Sequence, residues 1–237
     1  MDEKDLITLA LDASGLYCSA AITKGGTLAG EQVMSGAKNH SELLLLMIDQ
    51  LLDHTGIVLS DVDIVAVTKG PGSFTGVRTG ISTAQGLAFS LEKDLVGVSS
   101  LEVLACQAQV DSGYVCPMID ARKKQVYTCL YNFSAGHIVN KEMDDTVIAP
   151  EKWLDDLPSQ VSFIGDGAQT YCNEIEKRSG KAFRILPDSL GMIRASNVAS
   201  AASMSYLKNS RNDLENIVPE YIRPPDAVIG KKRKKSV

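Results

Sequence analysis

Three short, largely apolar runs open the chain, at 6 to 12 (LITLALD), 17 to 23 (YCSAAIT) and 27 to 33 (TLAGEQV), parted by Ser14-Gly15 and Gly25-Gly26. Runs of this length between turn residues read as strands, and connections this short predict an antiparallel meander. The period then changes. Asn39 offers an N-cap and Glu42 follows three residues later as in a capping box, which predicts a helix to about His54. From Ile64 the run IVAVTKG has no polar alternation, so it reads as a buried strand entering a glycine-rich turn. Helix, strand and helix signals follow at 75 to 91, 95 to 98 and 99 to 110.

The pattern then restarts. Residues 115 to 120 (VCPMID) and 125 to 133 (QVYTCLYNF) repeat a strand ending in Asp, a tight polar turn and a second strand. A third strand near 138 to 142, a helix around 150 to 156 and a strand at 161 to 165 come next. Such an internal echo predicts an α/β protein of two similar lobes, 1–110 and 111–230, facing one cleft, with a basic tail at 231–237.

The helical faces suggest a partner. At 100° per residue, Leu43, Leu44, Leu45, Met47, Ile48, Leu51 and Leu52 cover an arc of roughly 200°, with Leu46 among the polar positions. Covering one sheet takes an arc nearer ~100°. In the next helix Gly76, Gly80, Ala84 and Ala88 recur every four residues as a smooth stripe, although each interior glycine costs about 1 kcal/mol relative to alanine. The stripe serves either its own sheet or a second protein. The surplus apolar arc favours the latter, so Leu43, Leu46, Met47, Gly76, Gly80 and Ala84 are the expected interface, used by a second copy of the chain or by another protein.

Composition narrows the class. Apolar residues make up 44% of the chain, too many for a disordered protein, and the longest apolar run, Leu43 to Ile48, is far short of the roughly 20 residues of a membrane-spanning helix. The opening MDEKD is acidic where a signal peptide is basic, which points to the cytoplasm. Five widely spaced cysteines suit buried free thiols. The formal charge is −5, and setting aside the five positive charges of residues 231 to 235 leaves the body near −10. A body that acidic repels phosphate backbones, so this chain is a poor candidate for a main nucleic-acid-binding surface.

Three spots carry candidate chemistry. Asp12-Ala13-Ser14 and its echo Asp120-Ala121-Arg122 place an acid at a strand end before a turn, and Gly165-Asp166-Gly167 puts glycines at a strand-to-helix junction. Paired Asp-bearing turns across a cleft suit a metal–phosphate unit, and glycines there let a nucleotide approach the backbone. The order matches a nucleotide cleft of the actin and sugar-kinase kind. It makes Asp12, Ser14, Asp120, Arg122, Gly165 and Gly167 the candidate contacts for ATP or ADP with magnesium in a degenerate site. Lys69 to Gly80 (KGPGSFTGVRTG) fits neither a Walker loop, nor GxGxxG, nor the GxSxG elbow. His40 and His54 stand about 21 Å apart along a helix, too far to share a metal, and no HxxxH, HExxH or CxxC occurs.

The segments ALDAS, NHSELLLLMIDQLL, KGPGSFTGVRTGISTAQGLAF, IDARKKQVYTCLY, FIGDGA and PEYIR together resemble the bacterial TsaB family, also called YeaZ, over nearly the whole chain. The resemblance implies the two-lobed actin/hexokinase/Hsp70-type fold and a role in making threonylcarbamoyladenosine in tRNAs that read codons beginning with A. It implies a non-catalytic subunit that pairs with the transferase TsaD through its N-terminal helices, is joined by the ATPase TsaE, and needs no cofactor of its own. TsaD relatives carry a helical His-x-x-x-His metal pair; here His40 is followed by Leu44 at the second position. Two other readings stay open at this point: an ATP-dependent kinase or ATPase using Asp12 and Asp120, and a peptidase, after the family's older glycoprotease-like M22 label.

Overall fold

The structure is a computed structural model that describes residues 6–35, 40–178, 180–209 and 212–223. Asn39, the expected helix cap, and the basic tail 231–237 lie outside the described residues.

The first half contains β1 (Ile7–Asp12), β2 (Tyr17–Lys24), β3 (Thr27–Ser35), α1 (His40–Thr55), β4 (Ile64–Thr68), α2 (Phe74–Leu91), β5 (Asp94–Val98) and α3 (Ser100–Gln107). The second contains β6 (Gly113–Asp120), β7 (Val126–Ser134), β8 (His137–Ile148), α4 (Pro150–Asp156), β9 (Gln160–Ile164), α5 (Asp166–Thr170), α6 (Cys172–Glu176), β10 (Ala182–Ile185) and α7 (Ala195–Asn209). One sheet runs β3-β2-β1-β4-β5; the other, read from β8, runs β8-β7-β6-β9-β10. Every strand of the second sheet thus takes the place of one five earlier in the first. In each sheet the opening three strands pair antiparallel and the inserted strand, β4 or β9, pairs parallel to the first. β8 extends well past the predicted 138–142, because its charged outer stretch KEMDD hides the alternation that pairing with β7 enforces.

Strand alternation sorts the core into layers. Leu9, Leu11, Ile22, Val65 and Val67 face α1 and α2, packing with Leu44, Met47, Ile81 and Ala84. Their neighbours Ala10, Ala21, Ile64 and Ala66 face the other way, onto Leu101, Leu104, Val198 and Ala202 of α3 and α7. Val115, Ile119, Cys129 and Tyr131 of the second sheet join that same cluster, so the two lobes share one central core. Trp153, Leu154, Ala168 and Ile175 close the far side of the second sheet. Cys18, Cys116 and Cys129 are buried as expected of free thiols, whereas Cys106 lies on the exposed side of α3.

The chain beyond β10 returns to the first sheet. Glu31 of β3 is buried and grips the start of α7, accepting from the Ser196 amide at 2.9 Å and hydroxyl at 2.8 Å and from Arg194 Nε at 2.9 Å. Along the edge strand β5, the Asp213 amide donates to the Leu95 carbonyl at 2.7 Å, and the Gly97 amide donates to the Asp213 carboxylate at 2.8 Å. Residues 195–209 and 212–220, assigned by sequence to the second lobe, therefore cover a face and an edge of the first.

Candidate functional site

Between the sheets lies a cleft of about 130 Å³ lined by Asp12, Ser14, Leu16, Tyr17, Leu104, Ile119, Asp166, Asp188, Met192 and Ile193, with Gly15 and Gly191. Asp12 ends β1 and is buried at 2% exposure. Its Oδ1 accepts from the Ser14 hydroxyl at 2.6 Å, the Ser14 amide at 3.2 Å and the Thr68 hydroxyl at the end of β4. Burial raises the Asp12 pKa and outweighs the donors that favour its charged form.

On the opposite wall the Asp120 amide donates to Asp166 Oδ1 at 3.0 Å. Asp120 holds its own turn through the Arg122 amide at 2.9 Å and guanidinium at 3.2 Å. Burial also raises the Asp166 pKa, and the neighbouring Asp120 charge adds to the rise. Thus Asp12, Ser14 and Asp166 share the cleft, while Asp120 and Arg122 stand behind its second wall.

The glycines have a reason within the chain. A Cβ at Gly76 would sit 2.0 Å from the Ala13 carbonyl oxygen and one at Gly72 2.3 Å from that of Ser14. At the equivalent place in the second lobe, a Cβ at Gly165 would sit 2.2 Å from the Met118 carbonyl oxygen, and one at Gly167 2.9 Å from it. Contacts this short are forbidden, so KGPGSFTG and IGDGA each bring a helix start onto the central strand of its sheet. Gly165 and Gly167, expected beside a nucleotide, lie against backbone and do not line the cleft.

Most of the expected partner face also turns inward. Met47, Gly76, Gly80 and Ala84 are buried against the first sheet, where a Cβ at Gly80 would meet Val67 at 3.5 Å, and Leu43 packs partly buried against the same cluster. The stripe of small residues is the track on which α2 crosses its own strands. What faces outward is Leu45 at 51% and Leu46 at 50% exposure on α1, with Phe89 at 78% on α2. Gly86 lies on that outer side of α2, with nothing within 4 Å of an added Cβ. Of the six expected interface residues, Leu46 alone is exposed.

Sequence reasoning missed Thr68, whose signal was a hydroxyl closing an otherwise apolar strand. It also missed the stretch from Asp188 to Ile193, which carries no motif and reaches the cleft because Gln107 of α3 donates to the Leu190 and Met192 carbonyls at 2.9 and 2.7 Å.

Residues 33–231 match the family described as TsaD, tRNA N6-adenosine threonylcarbamoyltransferase. Over 92% of this chain and 95% of its own length, a Bacillus subtilis protein named tRNA threonylcarbamoyladenosine biosynthesis protein TsaB is 32% identical. A solved structure of YeaZ from Pseudomonas aeruginosa superposes with a TM-score of 0.79 at 31% identity, covering 91% of this chain and 99% of that one. The chain belongs to the TsaB/YeaZ family. A more distant structure, component A of (R)-2-hydroxyglutaryl-CoA dehydratase from Acidaminococcus fermentans, shares the fold alone, with a TM-score of 0.51 at 14% identity over 86% of this chain and 100% of that one. The TsaB-family architecture seen here, two mixed sheets of one topology around a cleft, is the actin/hexokinase/Hsp70-type fold. No helix among the described residues is long and apolar enough to cross a membrane.

Proposed function

We propose that this chain acts in tRNA threonylcarbamoyladenosine biosynthesis as a non-catalytic subunit that activates a TsaD-type transferase by docking through the outer face of α1 and α2. The observation that carries this reading is the exposed Leu45 and Leu46 on α1 together with exposed Phe89 and Gly86 on α2. An interior helical glycine with no internal neighbour weakens the helix by about 1 kcal/mol relative to alanine, and close approach of a second helix is the compensation that keeps it. A second copy of the chain competes for the same face, a TsaE-type ATPase joins the pair, and tRNA is reached through the assembled complex in the cytoplasm.

The lack of catalysis by this chain rests on residue identity. Leu44, where transferase relatives carry a second histidine, is fully buried in the core below α1, so that position has no ligating atom to offer. The size of the cleft, below the ~300 Å³ at which small-molecule sites begin, favours a scaffold over an ATP-turning enzyme. Mixing the full chain with its cognate TsaD-like protein tests the proposal. Micromolar or tighter association, with threonylcarbamoyladenosine formed only when both are present, is the expected result, and transfer by either protein alone at the same rate would refute it.

A further inference from the structure

The last described residues cross from one wall of the cleft to the other. At the first wall the Glu220 amide donates to the Lys69 carbonyl at 2.7 Å, and its carboxylate meets Lys69 Nζ at 2.6 Å. Tyr221 stacks on Phe74 with ring centres 5.2 Å apart and accepts from Arg78 Nε at 2.5 Å, while the Arg78 guanidinium lies 4.0 Å from the centre of the Phe74 ring. At the second wall Arg223 donates to the Ala121 carbonyl at 2.7 Å and to the Gln125 side chain, with its guanidinium 5.9 Å from the centre of the Tyr127 ring.

Both anchorages lead into the cleft. The Ser73 amide, one residue before α2, donates to the Ser14 carbonyl at 2.7 Å, and Ser14 lines the cleft. Ala121 follows Asp120, whose amide is held by Asp166, another lining residue. We propose that residues Glu220 to Arg223 form a strap holding the two walls at their present separation, with Arg223 as its releasable pin. The first wall is held by an ion pair, an aromatic stack and a backbone hydrogen bond; the second is held by one side chain, so release starts there. A ligand of nucleotide size needs more room than the roughly 130 Å³ present, and beyond the shared core the strap is a further restraint that must let go before the walls part. The strap thereby makes access to the cleft depend on residues Glu220 to Arg223.

Amide hydrogen exchange on the full chain distinguishes the outcomes. In Arg223→Ala, and equally in Arg223→Lys, which lacks the planar fork that reaches two acceptors, the Ser14 and Asp120 amides on opposite walls are expected to exchange at least tenfold faster. The Leu95 and Gly97 amides, held by Asn212 and Asp213 further along the same segment, are expected to keep their wild-type rates. Acceleration confined to Ala121 and Gln125 would reduce Arg223 to a local brace of one turn and overturn the proposal. Acceleration of all these amides together, with a lower melting temperature, would make it a general stabiliser and overturn the proposal equally.

Discussion

The two halves have the same strand order but clothe it differently. On the outer face of the first sheet lie two long helices, α1 of 16 residues and α2 of 18, which bury one side and leave Leu45, Leu46 and Phe89 outside. The second sheet carries α4, α5 and α6 of 7, 5 and 5 residues, enough to cover Phe163 and Met118. The difference teaches that the repeated topology fixes the cleft, to which each half contributes an Asp while its glycine-bearing helix start packs on the central strand beside it, and leaves the outer layer free to diverge. The docking face proposed above belongs to the half with the long helices.

The largest expected effect attacks what the halves share. Gly76→Ala and Gly165→Ala each force a Cβ against a carbonyl oxygen, and Gly165 also has a φ of 112°. Each is expected to destabilise the protein by about 4 kcal/mol or prevent folding, as read by urea denaturation. A loss under about 1 kcal/mol in either would mean that the equivalence of the two helix starts is only topological.

Next comes the difference between the halves. Leu46→Glu is expected to weaken binding to the TsaD-like partner about a hundredfold, since a charge buried unpaired costs several kcal/mol and each 1.4 kcal/mol is tenfold. Gly86→Leu should act likewise by steric exclusion; Leu46→Glu should leave the thermal melt unchanged, and Gly86→Leu should raise it slightly. Val139→Glu on the exposed part of β8 is the control from the other half, expected to have no effect on binding. Gly80→Leu, by contrast, should lower the melting temperature, because Val67 and Ala13 fill the space beside it.

A smaller effect tests the grip on α7. Hydrogen bonds from Arg194 and Ser196 hold the Glu31 pKa below its ordinary value despite burial. A depressed acid contributes stability that is present above its unfolded pKa and lost as pH falls through the folded one. Glu31→Gln should thus lose about 2 kcal/mol at pH 7, with the gap from wild type narrowing in acid. The smallest is Asp12→Asn. Because the Asp12 pKa is raised, the folded protein is destabilised by the carboxylate as pH rises above about 3.8, so the amide should melt slightly higher at pH 7 and match wild type in acid. A variant that melts lower at pH 7 would show that the three donors outweigh burial.

Most of the architecture was legible because each strand is a short apolar run with turn residues at its ends, and because the Asp-ended strand recurs at Asp12 and Asp120. The candidate acid Asp12 was legible for the same reason, whereas Asp166 was passed over because Gly165-Asp166-Gly167 was read for its glycines. The faces were not legible. The four-residue spacing of Gly76, Gly80 and Ala84 states that something packs closely, and only the three-dimensional path of α2 over Val67 and Ala13 decides that it is the chain's own sheet. Met47 failed likewise, since an arc on a helical wheel does not say which part of it the sheet takes. Residues from Asp188 to Ile193 and from Asp213 to Arg223 have no periodicity to read; long-range partners such as Gln107, Leu95 and Lys69 place them.

The return of residues 195–209 and 212–220 to the first sheet also sets the order of events during synthesis. The strands β1 to β5 leave the ribosome first, yet the helix that covers one face of their sheet and the segment that covers its β5 edge are made last. At roughly 5–20 residues per second, that sheet waits on the order of ten seconds with apolar Ala10, Ala21 and Ala66 uncovered and an edge open to pairing. The nascent first half is thus the stage at which a chaperone has apolar surface and an open edge to hold.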